Sequence, residues 1–173
     1  MKYELLHSSL GLVGIAVING QVVKVIIDTN QNDFTNSLKL DFGEKHPSKG
    51  GLDAFLLSWL YSYLDGFGLD ISKLKLNPQG TPFQRSVWQE IQDIPFGEVI
   101  AYGDLAKDIG CKSAQAIGQA LGANPIPIII PCHRVIASDF KLGGFSGGVE
   151  KKIMLLQHEG WTIENGRLKK IKE

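Results

Sequence analysis

The apolar pattern changes character at Leu76-Asn77-Pro78-Gln79-Gly80, and no other feature constrains the fold as strongly. Proline cannot propagate a helix or donate to a sheet ladder, so regular structure has to restart beyond it. Ahead of the break the pattern is partly strand-like. Residues 12–18 and 21–28 are β-rich runs joined by Asn19-Gly20. Asn-Gly predicts a hairpin there, because a type I′ turn needs positive φ at both central residues. Residues 3–7 can add a third strand. A helix is predicted over residues 52–64, where Leu52, Phe55, Leu56, Trp59, Leu60 and Tyr63 recur at helical spacing and Gly66 supplies a stop.

Behind the break the chain reads as helical. Thr81-Pro82-Phe83-Gln84 is a capping box with proline at the first helical position, and Val87, Trp88 and Ile91 give that helix an apolar face. Pro95 ends it. A short helix near residues 102–109, a break at Gly110-Cys111-Lys112 and a second helix from a Ser113 cap to about residue 121 predict a helix-turn-helix. Residues 124–127 hold two prolines and favour extended backbone, so residues 128–130 read as a buried extended segment leading into Pro131-Cys132-His133-Arg134-Val135. Gly143, Gly144, Gly147 and Gly148 mark a flexible loop. A last helix is predicted over residues 149–159, and Asn165-Gly166 over a small terminal hairpin. The expected fold is α+β in two domains: a small antiparallel sheet with helix over residues 1–76, then a mainly helical domain over residues 77–173.

With 43% apolar and 21% charged residues in 173, the chain is globular rather than disordered. The longest uncharged apolar run, residues 126–131, is far too short to span a bilayer. The start, Met1-Lys2-Tyr3-Glu4, opens no signal-peptide pattern, and two cysteines are too few for a disulfide framework, so a cytoplasmic protein is expected. Residues 1–76 carry 7 basic and 8 acidic side chains, and residues 77–173 carry 11 and 10. Neither half is a basic arm, which argues against a strongly electrostatic nucleic-acid binder.

Cys132 stands out chemically. It follows a proline, ends an apolar run and precedes His133 and Arg134. A buried structural thiol and a nucleophile are comparable readings from these residues alone. A nucleophile needs a base, and His133 is the obvious one. Adjacent side chains on extended backbone point apart, so contact would require a local turn or a bridging water. A carboxylate on the other ring nitrogen would raise the histidine's basicity, and spacing does not choose that carboxylate. Cys111 lies in the predicted turn and reads as structural. His7, His46 and His158 show no metal-ligand spacing. The helix after Ser113 carries small residues and no basic one, which suits close packing or close approach to a nucleic-acid backbone.

From Pro131-Cys132-His133-Arg134-Val135 the sequence resembles the O6-alkylguanine-DNA alkyltransferases, which repair DNA by direct reversal. Gly80-Thr81-Pro82-Phe83-Gln84, Phe96-Gly97-Glu98-Val99-Ile100, Ala123-Asn124-Pro125, Phe145-Ser146-Gly147-Gly148 and the run from Lys152 through Leu155-Leu156-Gln157-His158-Glu159-Gly160 appear in the family's order. The match covers roughly residues 77–161. The resemblance implies a ribonuclease H-like first domain and a helix-turn-helix second domain. It implies that Cys132 takes the alkyl group from O6-alkylguanine, and from O4-alkylthymine, once per molecule. Glu159, His133 and a bridging water would activate the thiol. Tyr102 would protonate the departing base, and Asn124 would tie the helices to the active-site segment. Val135, Phe145 and Ser146 would form the base pocket. Gln84, Tyr102, Gly103, Lys112, Gln115 and Ser138 would meet DNA. The partner would be duplex DNA gripped through the minor groove by a monomer, with the base flipped, and no cofactor or metal would be needed. Two residues depart from the family pattern: Gln115 stands where an arginine is usual, and Phe145 where a tyrosine is common. A non-catalytic damage binder, a helix-turn-helix regulator and a cysteine hydrolase are the competing readings. The acceptor cysteine, the near-neutral helix and the single-turnover chemistry weigh against them in turn.

Overall fold

The computed structural model describes residues 1–43, 46–68 and 70–171. It divides into two compact units, Met1–Gln79 and Gly80–Glu173. The first holds β1 (Lys2–Ser8), β2 (Gly11–Ile18), β3 (Gln21–Ile26), α1 (Gln31–Phe42), β4 (Ser48–Lys49) and α2 (Ala54–Leu64). The sheet order is β3-β2-β1-β4. Its first three strands are antiparallel, as expected, with Tyr3 opposite Ala16. Asn19 and Gly20 turn the hairpin at φ of 50° and 76°. Two features lie outside the expectation. The two-residue β4 pairs with β1 in parallel. The polar segment after Asn30 forms α1, which buries only Phe34 and Leu38 onto Tyr3, Ala16 and Val23. Gly14 lets α1 lie against the sheet: a Cβ there would stand 2.4 Å from the Phe34 ring. Strand β3 stops at Ile26, because Asp28 takes a left-handed conformation.

The second unit holds α3 (Pro82–Ile91), β5 (Ile100–Ala101), α4 (Tyr102–Ile109), α5 (Ala114–Gly122), β6 (Val135–Ile136), α6 (Val149–His158), β7 (Trp161–Glu164) and β8 (Arg167–Lys170). The capping box at Thr81 and Gln84 is formed in both directions. Trp88 on α3 donates its indole N–H to Ala120 O at 2.7 Å, joining α3 to α5. Gly110 closes α4 in the left-handed region and Ser113 caps α5, which completes the helix-turn-helix. Asn165 and Gly166 turn the β7–β8 hairpin. Among the described residues no helix is long and apolar enough to cross a membrane.

One expectation fails here. Residues 128–130 are not extended but wound into a turn, with Ile130 N–H donating to Ile126 O at 2.9 Å and Ile128 at a φ of 76°. The cause is Asn124. Its side-chain oxygen accepts from Ile126 N–H at 3.0 Å, and its amide donates to Ile130 O at 2.8 Å. One side chain closes the loop at both ends and overrides the local preference for extension.

Candidate active site

The Asn124-braced turn delivers Cys132 to a 3₁₀ turn, Cys132–Arg134, at the foot of β6. That turn resolves the geometry of the Cys-His pair. Cys132 lines a cleft of about 770 Å³ and is only 5% exposed. His133 points inward, away from solvent, where its Nε2–H donates to Glu159 Oε1 at 2.7 Å. Among the described residues neither imidazole nitrogen bonds the thiol, and His133 Nδ1 is the one buried side-chain nitrogen or oxygen without a partner.

Glu159 is the carboxylate that spacing could not choose. Arg134 clamps it through Nε to Oε2 at 2.9 Å and Nη2 to Oε1 at 2.9 Å, and Gly97 N–H adds a bond at 3.1 Å. Burial alone would raise its pKa, but His133 and Arg134 outweigh burial and hold it well below the carboxylate range. Burial lowers the pKa of His133, against the pull of Glu159. The imidazole is therefore neutral, with its proton on Nε2 and its lone pair on Nδ1. Arg134 also spans to Ile94 O and lies over the Phe96 ring.

Burial raises the Cys132 thiol, opposed by the Asn124 amide at 3.1 Å from Sγ, the charge of Lys152 and the main-chain N–H groups of residues 132 and 133. At rest the group is a thiol with a thiolate-stabilising set already in place. Tyr102 is raised by burial and then by Cys132, so its phenol keeps its proton. Its hydroxyl donates to Gly144 O at 3.2 Å.

The cleft gathers Tyr102, Gly103, Gln115, Cys132, Ser138, Phe145 and Ser146. Asn124, His133 and Glu159 stand behind it. Val135 is fully buried beside them, its carbonyl held by Lys152. Gln84 is engaged in the α3 cap and Lys112 is exposed in the helix-turn-helix, and neither lines the cleft. The sequence motifs give Arg134 and Lys152 no role of their own. Lys152 had a signal, since it shares a helix face with Leu155 and Leu156 yet carries a charge. No group of three His, Cys, Asp or Glu side chains able to hold a metal occurs among the described residues.

Residues 82–161 match a family profile described as the DNA binding domain of 6-O-methylguanine DNA methyltransferase. A probable methylated-DNA–protein-cysteine methyltransferase of Acanthamoeba polyphaga mimivirus is 39% identical over 160 residues, spanning 92% of this chain and 97% of that one. The chain belongs to the methylated-DNA–protein-cysteine methyltransferase family. The Salmonella typhimurium family member is 48% identical over 105 residues, which covers 60% of this chain and 61% of that protein. Among solved structures, Mycobacterium tuberculosis OGT in complex with DNA is similar at a TM-score of 0.75 and 32% identity, over 92% of both chains. The α+β architecture is thus that of the methyltransferase family in both units.

Proposed function

We propose that this chain repairs alkylated DNA by taking the alkyl group from O6-alkylguanine, and from O4-alkylthymine, onto Cys132 in one irreversible turnover. The observation that carries the reading is the orphaned Nδ1 of His133, a buried lone pair directly after the thiol in sequence, with Glu159 fixing the opposite nitrogen. The thiol proton passes through one water to Nδ1, and Glu159 stabilises the imidazolium. Asn124 and the main-chain amides stabilise the thiolate, which attacks the sp³ carbon in line. The carbon–oxygen bond breaks, its electron pair goes to the base, and Tyr102 supplies the proton that makes guanine a neutral leaving group. The product is a thioether that no group in the site can cleave.

The target oxygen is inaccessible inside a stacked duplex, so the base is flipped into the cleft. Phe145 forms a wall there, and Ser146 and the Val135 main chain read the base. Gly103, Gln115 and Ser138 meet the strand at the cleft mouth, with Gln84 and Lys112 as further contacts. The protein grips the minor groove as a monomer in the cytoplasm, and its near-zero net charge gives a shallow salt dependence.

The test is intact mass after incubation with excess O6-benzylguanine or an O6-methylguanine duplex, with Cys132→Ala as control. One adduct per chain at Cys132 is expected. More than one alkyl group removed per chain, or an adduct elsewhere, overturns the reading.

A further inference from the structure

Among the described residues, four pairs of chain neighbours stand at positive φ, and in three of them the second residue is glycine: Asn19-Gly20, Gly50-Gly51 and Asn165-Gly166. The fourth pair is Asp139-Phe140, at 57° and 59°. Glycine takes this conformation freely, whereas a bulky side chain there is an outlier. Ile128, bulky as well, is wound into it by the two Asn124 bonds. Phe140 has no such brace. Lys141 N–H donates to Ser138 O at 3.2 Å and Ala137 N–H to Lys141 O at 2.8 Å, bonds that glycine at position 140 would allow equally. Strain of this kind clusters at binding sites.

The turn stands at the edge of the Cys132 cleft, because Ser138, its first residue, lines that cleft. The Phe140 ring tilts against Trp161 with centroids 6.2 Å apart, yet 52% of Phe140 stays exposed, so packing accounts for only part of it. Lys141 pairs through its main chain with Arg167 of β8, which brings two exposed cations beside the ring. Among the described residues no ion pair involves either of them. Phe140 and Arg167 share a trough of about 510 Å³ with two carboxylates, Asp139 and the Asp104 that Lys107 holds. An exposed aromatic face with unpaired cations beside it suits a nucleic-acid strand, whose bases stack and whose phosphates are anionic.

We propose that the 138–141 turn is a second grip on the damaged strand, in which Phe140 covers the nucleotide next to the flipped one and Lys141 and Arg167 meet the phosphates that follow. This rests on the reading that the base is flipped into the cleft. Flipping unstacks the neighbouring base and leaves a face that an aromatic ring can cover. Gln115 brings no charge to the cleft, and this turn brings two cations to its edge.

The test follows single-turnover transfer from an O6-methylguanine duplex against protein concentration. Phe140→Gly raises the half-saturating concentration at least about fivefold, the loss of one aromatic–base stack. Its transfer rate from free O6-benzylguanine, which has no neighbouring nucleotide, stays within about twofold of the parent's. Phe140→Tyr keeps the ring and stays within about twofold on the duplex. Arg167→Gln lowers the slope of log half-saturation against log salt by about 0.9, one phosphate contact. If Phe140→Gly melts too low to assay, Phe140→Asn, which also tolerates positive φ, is read in its place. Unchanged half-saturation in Phe140→Gly, or an unchanged slope in Arg167→Gln, overturns the second grip and leaves the ring as a cover for Trp161. Slowing of duplex and free-base transfer by one common factor overturns it as well, since the turn then acts on the pocket. No adduct on the parent protein from either substrate overturns the alkyl-transfer reading instead.

Discussion

His133 Nε2 lies 2.7 Å from Glu159 Oε1, and neither side chain has any solvent exposure. The carboxylate is affordable in the interior only because Arg134 and Gly97 saturate its remaining lone pairs. Glu159→Gln keeps the shape and removes the charge. Arg134 is then left buried with no counter-charge, which costs about 3–5 kcal/mol of folding stability. Alkyl transfer slows as well, since a neutral amide stabilises an imidazolium poorly. Urea denaturation and single-turnover kinetics check the two parts separately. Unchanged stability would mean that the Arg134 clamp is dispensable.

The same pair sets the acid limit of the fold. His133 has its pKa lowered by burial, so it contributes full stability above its unfolded value near 6.5, and stability falls as pH drops below that. Glu159 is held down by His133 and Arg134, so its contribution is present above about pH 4.3 and is lost as pH falls through the lower folded value. Stability measured against pH should therefore decline from about pH 6.5 and steepen below about pH 4.3. In Glu159→Gln the steeper acid segment disappears while the gentler one remains.

Asn124 has two tasks, and two substitutions separate them. Asn124→Ala strands Ile126 N–H, at about 1–3 kcal/mol if that group is kept from water, and takes from Ile130 O one of its two donors, leaving it the Cys132 N–H at 2.8 Å. Asn124→Asp keeps the acceptor for Ile126 but replaces the donor at Cys132 Sγ with a negative charge. It should raise the thiol pKa by about one unit or more, read as an alkaline shift in the pH midpoint of iodoacetamide capture. An unshifted midpoint would show that the 3.1 Å contact does not stabilise the thiolate.

The motifs legible in the sequence were those with local causes. Both Asn-Gly turns, the Thr81 capping box, the Gly110 break and the Ser113 cap depend on residues within a few positions of each other, and each forms. Helix α1 leaves almost no periodic signal, because its sequence is polar and it buries only two side chains. At residues 128–130 local pattern misleads, because proline preference is local while the Asn124 bonds that wind the turn span up to six residues. The Cys132–His133 pair is visible and the family resemblance points to Glu159, but spacing alone gives neither the pair's orientation, which depends on a 3₁₀ turn, nor the carboxylate, which closes a 26-residue separation in space. Arg134 and Lys152 stayed hidden for the same reason, since their partners, Glu159 and three main-chain carbonyls, come from elsewhere in the fold.

Gly14 tests the packing of α1. A methyl group at this position would sit 2.4 Å from the Phe34 ring, closer than any real contact, with Phe34 fully buried. Gly14→Ala should destabilise the first unit by about 1–3 kcal/mol through overpacking. Pairing it with Phe34→Leu should recover part of the loss, since the smaller side chain yields the space. A neutral Gly14→Ala in chemical denaturation would show that α1 shifts freely on the sheet.

Gln115 is where the proposed DNA grip is most directly tested. It is exposed in the first turn of α5 and lines the cleft that holds Cys132. Glutamine can hydrogen-bond, but it brings no charge to a helix whose N-terminal turn has none. Gln115→Arg adds one cation and a longer reach at the cleft mouth. Binding to undamaged duplex should tighten, and the slope of log K against log salt should steepen by about 0.9, the value for one added phosphate contact. Gln115→Ala should weaken binding slightly and leave the slope alone, because no charge is removed. Fluorescence anisotropy between about 50 and 200 mM salt measures both quantities. Single-turnover rates on an O6-methylguanine duplex then show whether flipping gains with affinity. An arginine variant with unchanged affinity, slope and rate would mean that Gln115 does not face the strand.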